Sequence, residues 1–206
     1  MNADKLLDEI SGRKPGILGE NGFLRFAVLL PLVDMDGEIH VLFEVRASHL
    51  RRQPGEVCFP GGKMDKGDPD EKHCAIRETT EELGIFAKDI QKVIPLDYMV
   101  SAYGTIIYPF VGIIANTENM RPNEDEVGEI FTVPLSFFLN TKPDIHTIHY
   151  HVKPEDGFPF DLIVGGENYK WQTRQMDEYF YHYDGKVIWG LTARVLLHFI
   201  DLIKTK

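Results

Sequence analysis

The chain has 206 residues, 43% hydrophobic and 26% charged, which suits one domain with a proper core and excludes wholesale disorder. Its 32 acidic and 22 basic residues give a formal net charge of −10, a balance that disfavours broad nucleic-acid binding. Only two cysteines are present, Cys58 and Cys74, too few for a disulfide scaffold and not in a C-x-x-C pair.

In chain order, Ala3–Ile10 has apolar residues at helical spacing and predicts a short amphipathic helix. Gly12–Gly22 is a glycine-rich loop. Phe23–Val33 and Ile39–Val45 are β-favouring runs joined by Asp36-Gly37, a strong hairpin signal. Arg46–Gly67, rich in Gly, Pro and charge, is expected to be a long ordered loop anchored by Val57, Cys58 and Phe59.

A helix is predicted over 69–83. Asp68 stands where a cap belongs, Pro69 fits the first helical position and Gly84 offers a left-handed stop. Its expected core stripe is Ile76, Thr79, Thr80 and Leu83. Further strands are expected at Ile94–Met99, Ile106–Ala115 and Ile130–Val133, a helical turn at Phe137–Asn140, and β ribbon at Ile145–Val152 and Glu178–Tyr183. Leu191–Ile203 closes the chain as an amphipathic helix. Interleaved helices and strands predict an α/β fold, a sandwich of helices about a central sheet.

The densest chemical signal is Arg77-Glu78-Thr79-Thr80-Glu81-Glu82-Leu83-Gly84. Helical spacing sets Glu78, Glu81 and Glu82 on neighbouring positions of one surface. Two like charges about 6 Å apart repel by about 3 kcal/mol at an effective dielectric near 20, and a cation among them reverses the sign. Oxygen-only ligands favour Mg²⁺ or Mn²⁺. Arg77, four residues before Glu81, can hold that carboxylate in place. A charge run is ordinarily a solvated face. Here the approach Phe59-Pro60-Gly61-Gly62-Lys63-Met64-Asp65 adds paired glycines, which let backbone pass close to a ligand.

Gly62 followed by Arg77–Ile85 resembles the box of the Nudix hydrolases, G-x5-E-x7-R-E-U-x-E-E-x-G-U, where U is bulky and apolar. Asp68 replaces the first box glutamate, one extra residue precedes Arg77, and Thr79 stands at an apolar position. The stretch Leu42–Asp65 resembles the extended signature of the coenzyme A pyrophosphatase branch, in which that Asp and the extra residue are usual. Glu44, where Thr is typical, and Gln53, where His is common, depart from it. Val187–Arg194 is similar to a further stretch of the same branch.

The resemblance implies a single Nudix domain over 1–206 and an α/β/α sandwich with a central mixed sheet; it is weak at about 145–175, a stretch read as an insertion that shapes a pocket or a dimer contact. It implies metal-dependent cleavage of coenzyme A or acyl-CoA to 3',5'-ADP and (acyl) 4'-phosphopantetheine. ADP-ribose, dinucleotides or modified nucleoside triphosphates are alternative substrates, and a catalytically silent ligand-sensing module is a second alternative. Glu78 and Glu82 are then the principal ligands of Mg²⁺ or Mn²⁺, with Glu81 and the Gly61 carbonyl assisting. Glu126 is the first choice of general base and Glu124 the second. Arg46, Arg51, Arg52, Lys63 and Gly62 are candidate substrate contacts, and Arg77 and Asp68 orient the helix, Asp68 by capping it. The expected partner is a coenzyme A-like nucleotide, with a homodimer possible and neither nucleic acid nor membrane involved. No basic region precedes an apolar run near the N-terminus, and the chain ends Lys204-Thr205-Lys206 rather than Ser-Lys-Leu, so cytoplasm is the expected location.

Overall fold

A computed structural model describes residues 2–204; Thr205 and Lys206 of the tail considered above lie outside the described residues. Helix α1 (Ala3–Ile10) leads to strands β1 (Leu24–Met35) and β2 (Glu38–Arg46), which pair antiparallel around the Asp36-Gly37 turn. The predicted long loop contains two short strands, β3 (Val57–Cys58) against β2 and β4 (Gly61–Lys63) against β1. Then come α2 (Glu71–Leu83), β5 (Ile90–Pro95), β6 (Met99–Val100) and β7 (Thr105–Ile114), the last running parallel to β1. Strand β8 (Val127–Pro134) pairs with β2 and α3 (Leu135–Asn140) follows it. The expected strand at 94–99 is therefore two strands, β5 and β6, both against β7.

A second sheet is made of β9 (Asp144–Tyr150), β10 (Arg174–Tyr183) and β11 (Lys186–Trp189), ordered β11-β10-β9. Helix α4 (Gly190–Lys204) ends the described chain. Among the described residues no helix is long and apolar enough to cross a membrane.

The principal sheet is mixed and covered on both faces, which is why β1 and β2 are almost continuously apolar. Residues alternate between two cores. Ala27, Leu29 and Leu42 pack with Cys74, Ala75 and Leu83 of α2. On the other face Leu30, Val41 and Phe43 pack with Phe138 of α3, Tyr181 and Ile188 of the second sheet, and Leu196 of α4. Phe43 stacks on Phe59 and Phe131 at centroid separations of 5.1 and 5.4 Å. Each such buried side chain contributes about 1.5–3 kcal/mol. The result is the expected α/β/α sandwich.

Two expectations for α2 are corrected. Its cap is Asp70, whose carboxylate accepts the His73 N–H at 2.9 Å, so the helix begins at Glu71 rather than at Pro69. Asp68 does not cap, because its two oxygens take the Arg77 Nε and Nη2 at 2.9 Å each and the Asp65 N–H at 2.8 Å. The buried stripe is Cys74, Ala75, Thr79, Glu82 and Leu83. Ile76 and Thr80 are only half-buried, and the inward turn of the helix carries Glu82 beneath the surface.

Candidate functional site

Strand β4 delivers Gly61 and Gly62 between β1 and α2. A Cβ on Gly61 would stand 2.6 Å from the Val28 Cα, and one on Gly62 would stand 2.5 Å from both Glu78 carboxylate oxygens. Only glycines permit this approach. It lets the Gly61 N–H donate to Glu82 Oε2 at 2.7 Å. The loop after β7 closes the far end of α2, since Arg121 and Asn123 N–H groups donate to the Leu83 and Glu82 carbonyls at 3.1 and 2.9 Å. The Ala47 N–H donates to the Glu126 carbonyl at 2.9 Å, which fixes Glu126 beside the end of β2.

These segments border a cavity of about 710 Å³, within the range of small-molecule sites. Of the sequence-predicted residues, Glu78, Glu82 and Glu126 line it, as do Arg46, Arg52, Lys63 and both glycines. Glu81, Glu124 and Arg51 do not line it. The Glu81 side chain is 55% exposed and accepts from Arg77 Nη1 at 3.1 Å. Arg77 thus serves three carboxylates, its Nη2 reaching Glu78 Oε1 at 2.9 Å while Nε and Nη2 grip Asp68. That grip holds the Asp68 carboxyl well below the usual carboxylate range. Arg77 thereby ties Asp68 to Glu78 and Glu81 of α2.

Sequence reasoning missed Glu44. Leu42 faces α2, so Glu44, two residues on, faces it too. Glu44 is 1% exposed; its Oε1 accepts from the Cys58 thiol at 3.2 Å and its Oε2 has no partner among the described residues. Burial pushes its carboxyl well up, countered by Cys58 and Arg46 and reinforced by Glu126 and Glu78. Glu82, 3% exposed, is pushed up by burial first and by Glu44 second. Burial also raises Glu78, against the pull of Arg77. The one available signal was a charge embedded in the apolar run Val41–Val45, at a position where the resemblance expects Thr.

Among the described residues no three carboxylate, imidazole or thiolate side chains converge tightly enough to make a finished metal shell. The donor set nonetheless fits a hard cation. Glu44, Glu78 and Glu82 feel one another's charge, burial and mutual repulsion resist their ionisation, and Glu44 Oε2 lacks a partner among the described residues. A divalent ion answers all three conditions.

A glycine-lined strand feeding a carboxylate helix beside this cavity, within an α/β/α sandwich, defines a hydrolase of the Nudix class. The sequence matches the family described as NUDIX domain over residues 23–155, and the chain belongs to that family. Its members generally use divalent metal ions and bind nucleotide-like substrates. The chain is similar to the peroxisomal coenzyme A diphosphatase NUDT7 of Mus musculus, 41% identical over 116 residues, or 56% of this chain and 49% of that one. It therefore spans about half the length of that relative. It is also similar to Nudix hydrolase 3 of Caenorhabditis elegans, 33% identical over 84% of this chain and 70% of that one. The uncharacterized Nudix hydrolase NudL of Escherichia coli (strain K12) is 31% identical over 82% of this chain and 78% of its own.

Proposed function

We propose that the protein hydrolyses the diphosphate of coenzyme A or an acyl-CoA, releasing 3',5'-ADP and (acyl) 4'-phosphopantetheine. The carrying observation is one cavity lined both by the carboxylates Glu78, Glu82 and Glu126 and by the cations Arg46, Arg52 and Lys63. Glu78 and Glu82, with the Gly61 carbonyl, would hold Mg²⁺ or Mn²⁺; Glu81, engaged by Arg77, would assist as an outer carboxylate. The ion, when bound, neutralises phosphate charge and acidifies a water.

The protein's own groups do the rest. Arg46 and Arg52 grip phosphate oxygens, Arg being suited to paired contacts, and Lys63 adds a point charge. The paired glycines bring backbone to the diphosphate without a side chain in the way. Glu126 takes a proton as water oxygen bonds to phosphorus and the bridging P–O bond breaks. Glu126 lines the cavity and Glu124 does not, which favours Glu126 as the base.

The choice of coenzyme A rests on the similarity to the mouse diphosphatase and on the Leu42–Asp65 signature. We read residues 1–206 as one Nudix domain, because the second sheet and α4 share a core with β1 and β2. Its free thiols, Cys58 and Cys74, suit a reducing compartment, in our reading the cytoplasm.

The test is a panel of coenzyme A, acyl-CoA, ADP-ribose and dinucleotides with Mg²⁺ and Mn²⁺, ranked by kcat/KM with product identification. Coenzyme A substrates are expected to lead. An intact coenzyme A peak under all conditions overturns the proposal, and a lead by ADP-ribose transfers it to that substrate. Glu82→Gln is expected to abolish turnover while the chain stays folded.

A further inference from the structure

The second sheet supplies a wall of the same cavity from residues outside the matched family segment. Its centre is Glu178 on β10. This residue is 9% exposed, lines the cavity, and has a carboxylate oxygen, Oε2, that is buried and unpartnered among the described residues. The other oxygen, Oε1, lies 3.7 Å from Arg194 Nη2. Arg194 is itself held in place, donating to the Asp177 carbonyl at 2.5 Å and lying 5.5 Å from the Tyr179 ring centroid.

The surroundings are firm. Trp189 stacks on Phe180 with centroids 5.7 Å apart and planes 6° from parallel. Gly190, at φ +62°, turns β11 sharply into α4, and Thr192 Oγ1 donates to the Val57 carbonyl at 3.2 Å. A carboxylate oxygen buried without a hydrogen bond is costly, and that cost is relieved when a turn about the soft terminal torsion of the side chain presents the oxygen to a donor in the cavity. The Glu178 carboxylate offers acceptors only. Such a wall accepts a neutral O–H or N–H and repels a phosphate or carboxylate.

We propose that Glu178 is a specificity-determining residue, whose Oε2 accepts a hydrogen bond from a hydroxyl or amide N–H on the organic arm beyond the substrate's diphosphate. This rests on the diphosphatase reading, and it selects substrates whose arm carries a neutral donor. The metal and the reacting phosphates are served by other residues, so Glu178 acts on binding rather than on the chemical step.

The experiment compares wild type with Glu178→Gln on coenzyme A (amide donors in the arm), ADP-ribose (hydroxyl donors) and the methyl ester of ADP (no donor). Gln preserves shape but replaces a charged acceptor with a weaker one that also donates. The KM for the preferred donor-bearing substrate is expected to rise about 10-fold, with kcat within about twofold and the methyl ester unaffected. Calorimetric titration of the same ligands into Glu82→Gln chains, with and without Glu178→Gln, reads binding without turnover. Equal effects on all three ligands, as a purely structural role or a wall that only holds water would give, overturn the proposal. So does no effect on any, or an absence of binding altogether. If nothing is hydrolysed but the titrations still separate donor-bearing from donor-free ligands, the diphosphatase reading fails and the assignment of Glu178 stands. Should Glu178→Gln not fold, Glu178→Asp, which withdraws the acceptor by one methylene, carries the same expectation.

Discussion

Glu44→Gln tests whether the Glu44 carboxyl is made to ionise while buried, through the stability of the metal-free protein. In the folded chain the Glu44 carboxyl is raised from 4.5 to about 7, chiefly by burial. Between those two values the folded state binds more protons than the unfolded one, so stability is full below pH 4.5 and is lost as pH rises through 7. The gap corresponds to about 3 kcal/mol. At 1% exposure no discount for solvent screening applies. In a chain of this size about 3 kcal/mol moves Tm by about 6–12 °C. Gln cannot ionise, and Glu82 loses the neighbouring charge that helps to raise it, so both effects flatten the pH dependence. The assay is thermal or urea unfolding in EDTA from pH 4.5 to 8.5. The quantity read is the change in the stability difference between wild type and variant across that range, which cancels any fixed cost of the buried amide. We expect the variant to gain about 3 kcal/mol on wild type between the two ends. Parallel curves would refute the claim that Glu44 is forced to ionise in a buried, unpartnered position.

The same crowding predicts that Mn²⁺ or Mg²⁺ stabilises the wild type above pH 7, by about 2.7 kcal/mol at 100 times Kd, and Glu82→Gln less; equal shifts in Tm argue against Glu82 as a ligand. Gly62→Ala sets a Cβ 2.5 Å from both Glu78 oxygens, atoms at the end of a flexible side chain. Turnover should fall by at least 10-fold with little change in Tm, and full activity would show that the position of Glu78 is not critical. Gly84→Ala meets backbone instead, with the Arg121 carbonyl carbon 2.7 Å away and φ at +62°. A loss of about 2–4 kcal/mol is expected in urea unfolding.

Local chemistry made much of this molecule legible. Asp36-Gly37 announced the β1–β2 hairpin and Gly84 announced the end of α2, because each answers a backbone demand within a few residues. The strand β11 was missed although Asp184-Gly185 is a turn signal of the same kind, with Asp184 at φ +45° and Gly185 at φ +74°. The cap shifted from Asp68 to Asp70 because Arg77, nine residues along the chain from Asp68, claims the earlier carboxylate, a competition that spacing alone does not rank.

The site divides in the same way. Glu78 and Glu82 were legible from helical spacing, and the glycines from their backbone freedom, but the sorting of Arg46 and Arg52 from Arg51 depends on how the 46–56 loop closes. Glu44 and Glu178 come from strands of two different sheets, and each has a buried oxygen without a partner among the described residues. Neither carries a motif. Their meaning comes from a balance of energies: burying an unpaired carboxylate costs stability, which a fold keeps only where something returns the cost. At Glu44 the Cys58 thiol serves one oxygen and Arg46 offsets only part of the charge of Glu126 and Glu78, so we propose that a cation returns it. At Glu178 one oxygen already faces Arg194, so a neutral donor suffices. Two orphaned oxygens, one on a residue lining the cavity at Glu178 and one buried on β2 at Glu44, thus call for different chemistries, and it is their surroundings, not their residue type, that tell them apart.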